Sequence, residues 1–206
     1  TQERVWQEWQ KSLLTPNPEV FLSVLRECGA LNVILPELDR LFGVPQPEKW
    51  HPEIDTGIHT LMVAKQSALL SPLPQVRFAA QVHDLGKGVT PQAEWPSHKM
   101  HASTGLGIIK SLCDRVRVPN DFKELALAVC AQHSNIHRAD ELKPSTILKI
   151  FNKLDVWRKP EKLDQVLITC EADHRGRKGH EDQPYPQSTL FKKAYQAALS
   201  VNVQTI

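Results

Sequence analysis

The sequence predicts an all-α fold, and three observations support this prediction. Proline and glycine punctuate a series of segments whose apolar residues recur at the spacing of a helix. Runs of β-branched residues with strand-like alternation are almost absent. The hydrophobic content of 41% and charged content of 23% are ordinary for a globular protein, and 206 residues are enough to bury a sizeable core without cross-links.

The helices follow from this periodicity in chain order, and several begin at suitable residues. Thr56 and Ser97 are suited to capping the helices that follow them, because their hydroxyl groups accept hydrogen bonds from free backbone N–H groups. Pro160 precedes Glu161 in the manner of a first-turn proline. The predicted helices cover residues 2–14, 18–29, 56–70, 74–85, 98–116, 121–134, 145–155, 161–173 and 187–200.

A proline-containing loop divides the chain into two predicted parts. The loop GVPQPEKWHPEID, residues 43–55, is interpreted as a joint between an N-terminal helical subdomain, residues 1–50, and a larger remainder, residues 51–206. The first residue is Thr1 rather than methionine and a helical pattern follows at once, which favours a fragment of a longer protein. No apolar stretch approaches the ~20 residues that span a bilayer, and no signal peptide is present, so no membrane association is expected.

Charge and cysteine usage narrow the functional classes. Lys plus Arg number 25 against 23 for Asp plus Glu, a net charge of +2, so any nucleic-acid binding must come from local patches. Each cysteine lies in an apolar helical pattern, and no Cys-x-x-Cys pair is present, which predicts buried free thiols in the reducing cytoplasm. The cysteines are Cys28, Cys113, Cys130 and Cys170.

His83 and Asp84 end an otherwise apolar helical run, VRFAAQVHDLGKG, residues 76–88. Val76, Ala80 and His83 fall at i, i+4 and i+7, which predicts that the His83 side chain points into the protein. A buried Asp84 needs a partner, since an unpaired buried carboxylate is costly. A divalent cation held jointly with His83 would supply one. A His–Asp pair that closes the helix is the alternative, and the dipeptide alone favours it.

Three further helices place a ligand-type residue on an apolar stripe. Asp173 lies seven residues after Val166, and His133 lies seven residues after Ala126, so both continue the buried face of a helix. His59 lies in the first turn of another helix. Each residue alone is explained by core packing or capping. Their arrival inside the protein from several helices favours a shared site.

The set His59, His83, Asp84 and Asp173 predicts a particular kind of metal site. It mixes imidazole with carboxylate and contains no thiolate. These ligands suit Mg²⁺, Mn²⁺, Ni²⁺ or Co²⁺, and also Fe²⁺ or Zn²⁺, in a shell completed by water, rather than a closed structural zinc site. A coordinated water of lowered pKa is a nucleophile suited to hydrolysis.

Cationic residues near these ligands are candidates for binding phosphate. Lys87 lies one turn beyond His83, where its ammonium group could reach a substrate phosphate without joining the metal shell. His98 and His101, at i and i+3, could bind phosphate or a second metal, and ordinary surface or capping roles are equally open.

Two arginines follow the predicted ligand Asp173 around a glycine. Arg175 and Arg177 stand in the segment DHRGRKG, so a phosphate clamp is geometrically open to them. A solvated turn is the alternative, and the sequence favours neither.

The order His59, then His83-Asp84 followed by Leu-Gly-Lys, then the distant Asp173, resembles the HD superfamily of metal-dependent phosphohydrolases, named for that dipeptide. The resemblance implies an HD helical bundle over residues 51–206 and a metal held by these two histidines and two aspartates. In a hydrolytic interpretation, His83 and Asp84 act in catalysis by holding the metal, and Lys87 offsets charge that develops on the phosphate. The other histidines resemble positions that some HD subfamilies use for a second metal or for substrate phosphate, namely His98, His101 and His133.

Longer stretches resemble the C-terminal part of bacterial CCA-adding tRNA nucleotidyltransferases that carry an HD domain. They include HDLGKGVTP, VWRKPEKLDQ and EADHRGRKG, and the resemblance runs from about Glu3 to near Tyr195. It implies that residues 1–50 form a neck and body segment that contacts tRNA. No Gly-Ser loop followed by an Asp-x-Asp pair is present, so the polymerising chemistry is expected to be absent from this chain. Ser134 follows His133 where close relatives often show a second His-Asp dipeptide, a departure that bears on any two-metal interpretation.

Three functions compete at this point. The first is a phosphohydrolase that acts on phosphomonoesters and on 2′-phosphate or 2′,3′-cyclic phosphate ends, as in repair of tRNA or RNA 3′ ends. The second is a non-catalytic tRNA-binding module, in which residues 1–50 and basic patches such as Lys192-Lys193 grip the tRNA. A hydrolase of signalling nucleotides is the third. Metal-dependent turnover distinguishes the first and third from the second.

Overall fold

In the described part of the protein, residues 1–201 of a computed structural model, every secondary-structure element is a helix, and the all-α prediction is confirmed. Three short 3₁₀ segments, Leu85–Val89, Gln92–Glu94 and Ala139–Glu141, lie among the α-helices. The α-helices are α1 (Gln2–Leu13), α2 (Glu19–Glu27), α3 (Ala30–Ile34), α4 (Pro36–Asp39), α5 (Thr56–Leu70), α6 (Pro74–Val82), α7 (His101–Val116), α8 (Asn120–His137), α9 (Pro144–Leu154), α10 (Glu161–Arg175) and α11 (Pro186–Leu199).

Helix α7 begins later than the predicted helix over residues 98–116. His98 and Met100 have φ values of 47° and 64°, in the left-handed region, so a right-handed helix cannot start before His101. The expectation that Ser97 caps this helix is therefore wrong. The segment before α7 is an irregular turn that places the His98 side chain independently of the helix.

The boundaries of two other helices also differ from the predictions. In place of the predicted helix over residues 18–29, α2 ends at Glu27. Gly29 follows with a φ of 74°, which suits glycine, and two short helices come after it. Asp55, not Thr56, caps α5, because the Asp55 carboxylate accepts a hydrogen bond from the Ile58 N–H at 2.9 Å. The Thr56 hydroxyl instead donates to a backbone carbonyl of the preceding loop.

The hydrophobic core joins the N-terminal helix to the rest of the bundle. Helix α6 lies at its centre, in contact with α5, α8 and α10. From α1, the rings of Trp6 and Trp9 pack on Phe78 of α6 with centroid distances of 5.6 Å and 5.0 Å. Trp6 also contacts Phe122 of α8, at 5.0 Å. The predicted domain boundary near residue 50 stays a prediction, but α1 shares the core of the predicted second part.

The cysteines follow the prediction with one exception. Cys113, Cys130 and Cys170 are buried free thiols, whereas Cys28 is exposed, so its predicted burial is wrong. Cys28 is the residue that ends α2, beyond the buried face of that helix. Across residues 1–201, none of the helices combines the length and apolarity that a membrane-spanning segment requires.

A buried arginine holds the end of α1 against the bundle through hydrogen bonds. The Arg77 guanidinium donates to the carbonyl groups of Leu13 and Thr15 at 2.8 Å and 2.9 Å. It also donates to those of Ser71 and Ala68, at 2.8 Å and 3.2 Å. We expect Arg77→Met to lower the free energy of unfolding by about 3 kcal/mol, because buried carbonyl groups lose a charged donor.

Urea unfolding followed by circular dichroism measures this loss of stability. Arg4→Met is the control, since Arg4 is exposed in the same helix that Arg77 fastens, and its replacement should change the free energy of unfolding by less than about 0.5 kcal/mol. Equal stability of the two variants would contradict the fastening role of Arg77.

Candidate metal centre

Three helices bring the predicted metal ligands together. Helix α5 carries His59, α10 carries Asp173, and His83 and Asp84 follow the last residue of α6. The predicted helix ran to residue 85, but α6 ends at Val82, so His83 and Asp84 lie in the turn that follows it. The four side chains are buried, with exposed fractions from 0% for His59 to 4% for Asp173.

The ligand atoms of three of these residues form one cluster, and Asp84 lies beside it. His59 Nε2 lies 2.9 Å from Asp173 Oδ1, and His83 Nε2 lies 3.6 Å from Asp173 Oδ2. The remaining contact joins His83 Nε2 to Asp84 Oδ2 at 3.3 Å. One ligand atom each from His59, His83 and Asp173 lies within 4.8 Å of the others, the spacing at which one ion could contact all of them.

Two buried atoms in this cluster have no hydrogen-bond partner, although buried polar atoms rarely stay unpaired. They are His83 Nε2 and Asp84 Oδ1. The other ring nitrogen of His83, Nδ1, donates to the Ala80 carbonyl at 2.9 Å, which fixes the imidazole with Nε2 toward the cluster. The donor set and these unpaired atoms fit a divalent cation.

The electrostatics of the cluster are those of a cation site. Burial would lower the pKa of His83, but the Asp84 and Asp173 carboxylates outweigh burial and raise it to about 9. Burial likewise opposes ionisation of Asp84, but Lys87 and His83 hold the pKa of Asp84 well below its usual range. The buried carboxylates are therefore ionised and attract positive charge.

A second group of ligand-type atoms shares Asp84. His101 Nε2 and His133 Nε2 each lie 3.6 Å from Asp84 Oδ1, and 3.3 Å from each other. Burial lowers the pKa of His133 to about 3, so its imidazole is neutral and able to donate a lone pair. His133 reaches this group although the next residue is Ser134, whose hydroxyl lies 3.3 Å from His133 Nε2. Binding of phosphate or of a second metal by these histidines stays a prediction.

Lys87 lies against the candidate metal centre. It lies in the 3₁₀ segment Leu85–Val89, and its Nζ donates to Asp84 Oδ2 and to Gln46 Oε1, each at 2.6 Å. Lys87 therefore touches a predicted metal ligand, and its binding of a substrate phosphate stays a prediction. The attraction between a buried ammonium group and a buried carboxylate explains this contact.

The other predicted phosphate-binding residues divide into two groups. His98 is buried, and its Nε2 donates to the Pro45 carbonyl at 2.7 Å. Arg175 instead forms an ion pair with Glu171, one turn earlier, at 2.6 Å. Arg175 does not line the cavity described below. Arg177 does line it, together with His98.

Two residues of the site were not predicted from the sequence. His137 Nε2 lies 2.6 Å from Asp173 Oδ2, and Glu53 Oε1 lies 2.9 Å from His59 Nδ1. His137 was missed because the helix was predicted to end at residue 134, whereas α8 continues to His137. The i, i+4 spacing of His133 and His137 is the signal that finds it.

The clusters open into a cavity of about 710 Å³, within the size range of small-molecule sites. Its inner wall consists of the buried polar side chains of the centre, and its outer wall contains proline, tryptophan and arginine side chains. The lining residues are Pro47, Trp50, His51, Lys87, Pro96, Ser97, His98, His101, His133, Ser134, His137, Arg138, Glu141, Asp173 and Arg177. Of the four predicted metal ligands, Asp173 lines this cavity, together with His101 and His133, which lie beside Asp84.

Comparisons with known proteins agree with this geometry. The chain is 75% identical over all 206 residues to the Multifunctional CCA protein of Vibrio cholerae serotype O1, of which it covers 51%. Identity to the protein of the same name is 75% in Vibrio campbellii and 63% in Aliivibrio salmonicida, with the same coverage. The chain therefore spans about half the length of the curated relatives it matches.

Two family models match different parts of the chain. Residues 1–42 match the family described as a probable RNA and SrmB-binding site of polymerase A. Residues 56–176, which carry the ligand-type side chains of the cluster from His59 to Asp173, match the HD domain. The second match covers more than half of the chain, and the chain belongs to the HD domain family.

Proposed function

We propose that this chain is a metal-dependent phosphohydrolase that acts on phosphomonoesters and on 2′-phosphate or 2′,3′-cyclic phosphate ends of RNA, with tRNA 3′ ends as the macromolecular substrate. The observation that carries the proposal is the buried cluster of His59, His83 and Asp173, with Asp84 beside His83, next to a cavity that Asp173 and cationic side chains line. The name of the relatives supports the link to tRNA. This substrate would place the chain in the cytoplasm.

These side chains have distinct roles in the proposed reaction. His59, His83, Asp84 and Asp173 would hold the cation, with Mg²⁺, Mn²⁺, Ni²⁺ and Co²⁺ as the candidates. A divalent ion at such a site lowers the pKa of water and supplies a nucleophile at neutral pH. Water adds to phosphorus, the ester P–O bond breaks, and the alcohol leaves with a proton.

The remaining cavity side chains would bind the phosphate. Lys87 donates to Asp84 Oδ2 and lines the cavity, so its charge acts on both the carboxylate and an incoming phosphate oxygen. Arg177 lines the same cavity and offers further N–H donors. His101 and His133 stand beside Asp84, where their ring nitrogens can contact the phosphate.

A metal-dependence assay tests the proposal. We expect the chain treated with EDTA to release no phosphate from adenosine 2′-monophosphate and to open no 2′,3′-cyclic AMP. Addition of Mn²⁺, Ni²⁺, Co²⁺ or Mg²⁺ should restore both activities, and the order of the metals identifies the preferred ion. Thermal unfolding should shift upward with the same metals, because an ion that binds only the folded state stabilises it. Activity that persists unchanged in EDTA would contradict the proposal.

The match of residues 1–42 to an RNA-binding family favours a second candidate, a non-catalytic tRNA-binding module. The predicted basic patch contributes less charge than expected, because Lys192 forms an ion pair with Asp164 at 2.8 Å. A binding module predicts tRNA affinity that falls steeply with salt and no metal-dependent turnover. The metal-dependence assay, together with a salt titration of tRNA binding, separates the two candidates.

A further inference from the structure

Residues 45–55 form a strap beside the candidate metal centre. The Gln46 N–H donates to the Ile54 carbonyl at 2.7 Å, which holds the two ends of the strap together. The strap falls between the segments matched by the two families, residues 1–42 and 56–176, so neither family description assigns it a role. It was predicted as part of a joint between subdomains, but its position is that of a wall of the site.

Three groups of the strap contact side chains of the site. The contacts are Pro45 carbonyl with His98 Nε2 at 2.7 Å, Gln46 Oε1 with Lys87 Nζ at 2.6 Å, and Glu53 Oε1 with His59 Nδ1 at 2.9 Å. Because each contact fixes a side chain of the centre, the strap is held against the site at several points. Residues near the middle of the strap therefore have a defined position at the cavity.

Trp50 is the tryptophan that the strap presents to this cavity, next to the imidazole of His51. Its side chain lines the cavity and is 56% exposed, in contrast to the buried Trp6 and Trp9 of the core. The backbone N–H of Trp50 donates to the Pro47 carbonyl at 2.9 Å, which fixes the backbone. The Lys49 ammonium group lies 4.6 Å from the centroid of the indole ring. A large apolar ring thus stands at the outer end of a cavity whose inner end is polar.

We propose that Trp50 is a nucleobase-stacking subsite, so that the cavity selects phosphate esters of nucleosides over phosphate esters of small alcohols. The inference rests on the proposed hydrolytic function, because it assumes that phosphate binds at the inner end of the cavity. A nucleotide has the matching polarity, with an anionic group at one end and a flat aromatic ring at the other. Stacking is available to every base, so this subsite would not select a base sequence.

The charges around Trp50 agree with a nucleotide. Lys87, which is buried, and Arg177 line the cavity and attract a phosphate, and Lys49 adds a positive charge beside the ring. The outer wall also contains Arg138, but its guanidinium is paired with Glu141, which limits its attraction for anions. Phosphate attraction is therefore concentrated toward the inner end, and the outer end offers a ring surface.

Kinetics with two substrates test the subsite. The substrates are adenosine 2′-monophosphate, which carries a base, and glycerol 2-phosphate, which does not. We expect Trp50→Ala to lower the ratio of their kcat/KM values by about 10-fold, the loss typical of one stacked base. Trp50→Phe keeps an aromatic ring and should retain most of the ratio. Trp157→Ala is the control, because Trp157 is also partly exposed, at 42%, but does not line the cavity.

The outcomes separate this inference from the proposed function. An unchanged ratio in Trp50→Ala would overturn the stacking subsite and leave the phosphohydrolase intact. If the unmodified chain hydrolyses neither substrate with any of the four metals, the proposed function fails. Titration calorimetry of adenosine 2′-monophosphate in EDTA then decides the subsite. About 10-fold weaker binding by Trp50→Ala would support it, and equal or absent binding would overturn it.

Discussion

Asp84→Ala is expected to reduce metal-dependent hydrolysis by more than about 100-fold, the largest effect among single replacements in the centre. Asp84 Oδ2 faces His83 Nε2 at 3.3 Å, and Asp84 Oδ1 faces the ring nitrogens of His101 and His133 at 3.6 Å. One side chain therefore belongs to both groups of ligand-type atoms. Its removal deletes a ligand and leaves the Lys87 ammonium without its carboxylate.

Metal content, turnover and stability are measured on the same preparation. Because loss of one partner of a buried ion pair is destabilising, Asp84→Asn is the companion variant that keeps the shape of the side chain. Both variants should bind less metal by titration calorimetry than the unmodified chain. Asp164→Asn is the matched control, since it also removes a carboxylate paired with a lysine, at 2.8 Å, but lies on an exposed surface. Full metal binding by a folded Asp84→Asn protein would remove Asp84 from the proposed site.

The helices and the buried ligand-type residues could be predicted because they are local features. The spacing of Val76, Ala80 and His83 places His83 on the inner face of a helix wherever that helix packs. The same reasoning located Asp173, which is buried in the structure. Helical periodicity therefore indicates which polar residues point inward. Because several helices each bring a ligand-type residue to the same interior, these residues are expected to lie close together.

Contacts between distant segments could not be predicted in this way. The loop that contains the strap has no helical periodicity, so its composition indicated a joint, and its contacts with Lys87, His98 and His59 depend on the folded bundle. The contact between Lys87 and Asp84 also depends on the folded structure. A buried ammonium group is drawn to the nearest carboxylate. The position of the Asp84 carboxylate depends on where α6 ends, at Val82, and the sequence did not reveal this end.

The glycine of the segment HDLGKG has a structural reason that the sequence did not reveal. Gly86 lies in the 3₁₀ segment after Asp84, where its backbone packs against the first turns of α7. A Cβ atom at this position would overlap the His101 carbonyl oxygen and would lie 2.7 Å from the His101 carbonyl carbon and 2.8 Å from the Gly105 nitrogen. These are backbone atoms, so rotation of a side chain cannot relieve the overlap. The absence of a Cβ atom lets α7 approach closely enough to place His101 beside Asp84.

Gly86→Ala is therefore expected to lower the free energy of unfolding by about 3 kcal/mol or more, because a packed helix must move. Gly107→Ala, in α7 itself, is the control. A Cβ atom at Gly107 meets nothing within 4 Å, so this change should raise the free energy of unfolding by about 0.5–1 kcal/mol through the higher helix propensity of alanine. Urea unfolding of the two variants gives both values.

The same displacement should reach the metal centre. A shift of the first turn of α7 moves His101 away from Asp84, to which it now lies at 3.6 Å. Folded Gly86→Ala protein should therefore show lower turnover at saturating metal, whereas Gly107→Ala should match the unmodified chain. A stable Gly86→Ala protein with full turnover would show that α7 does not need this close approach. The glycine between the His-Asp dipeptide and Lys87 would then have no packing role at the centre.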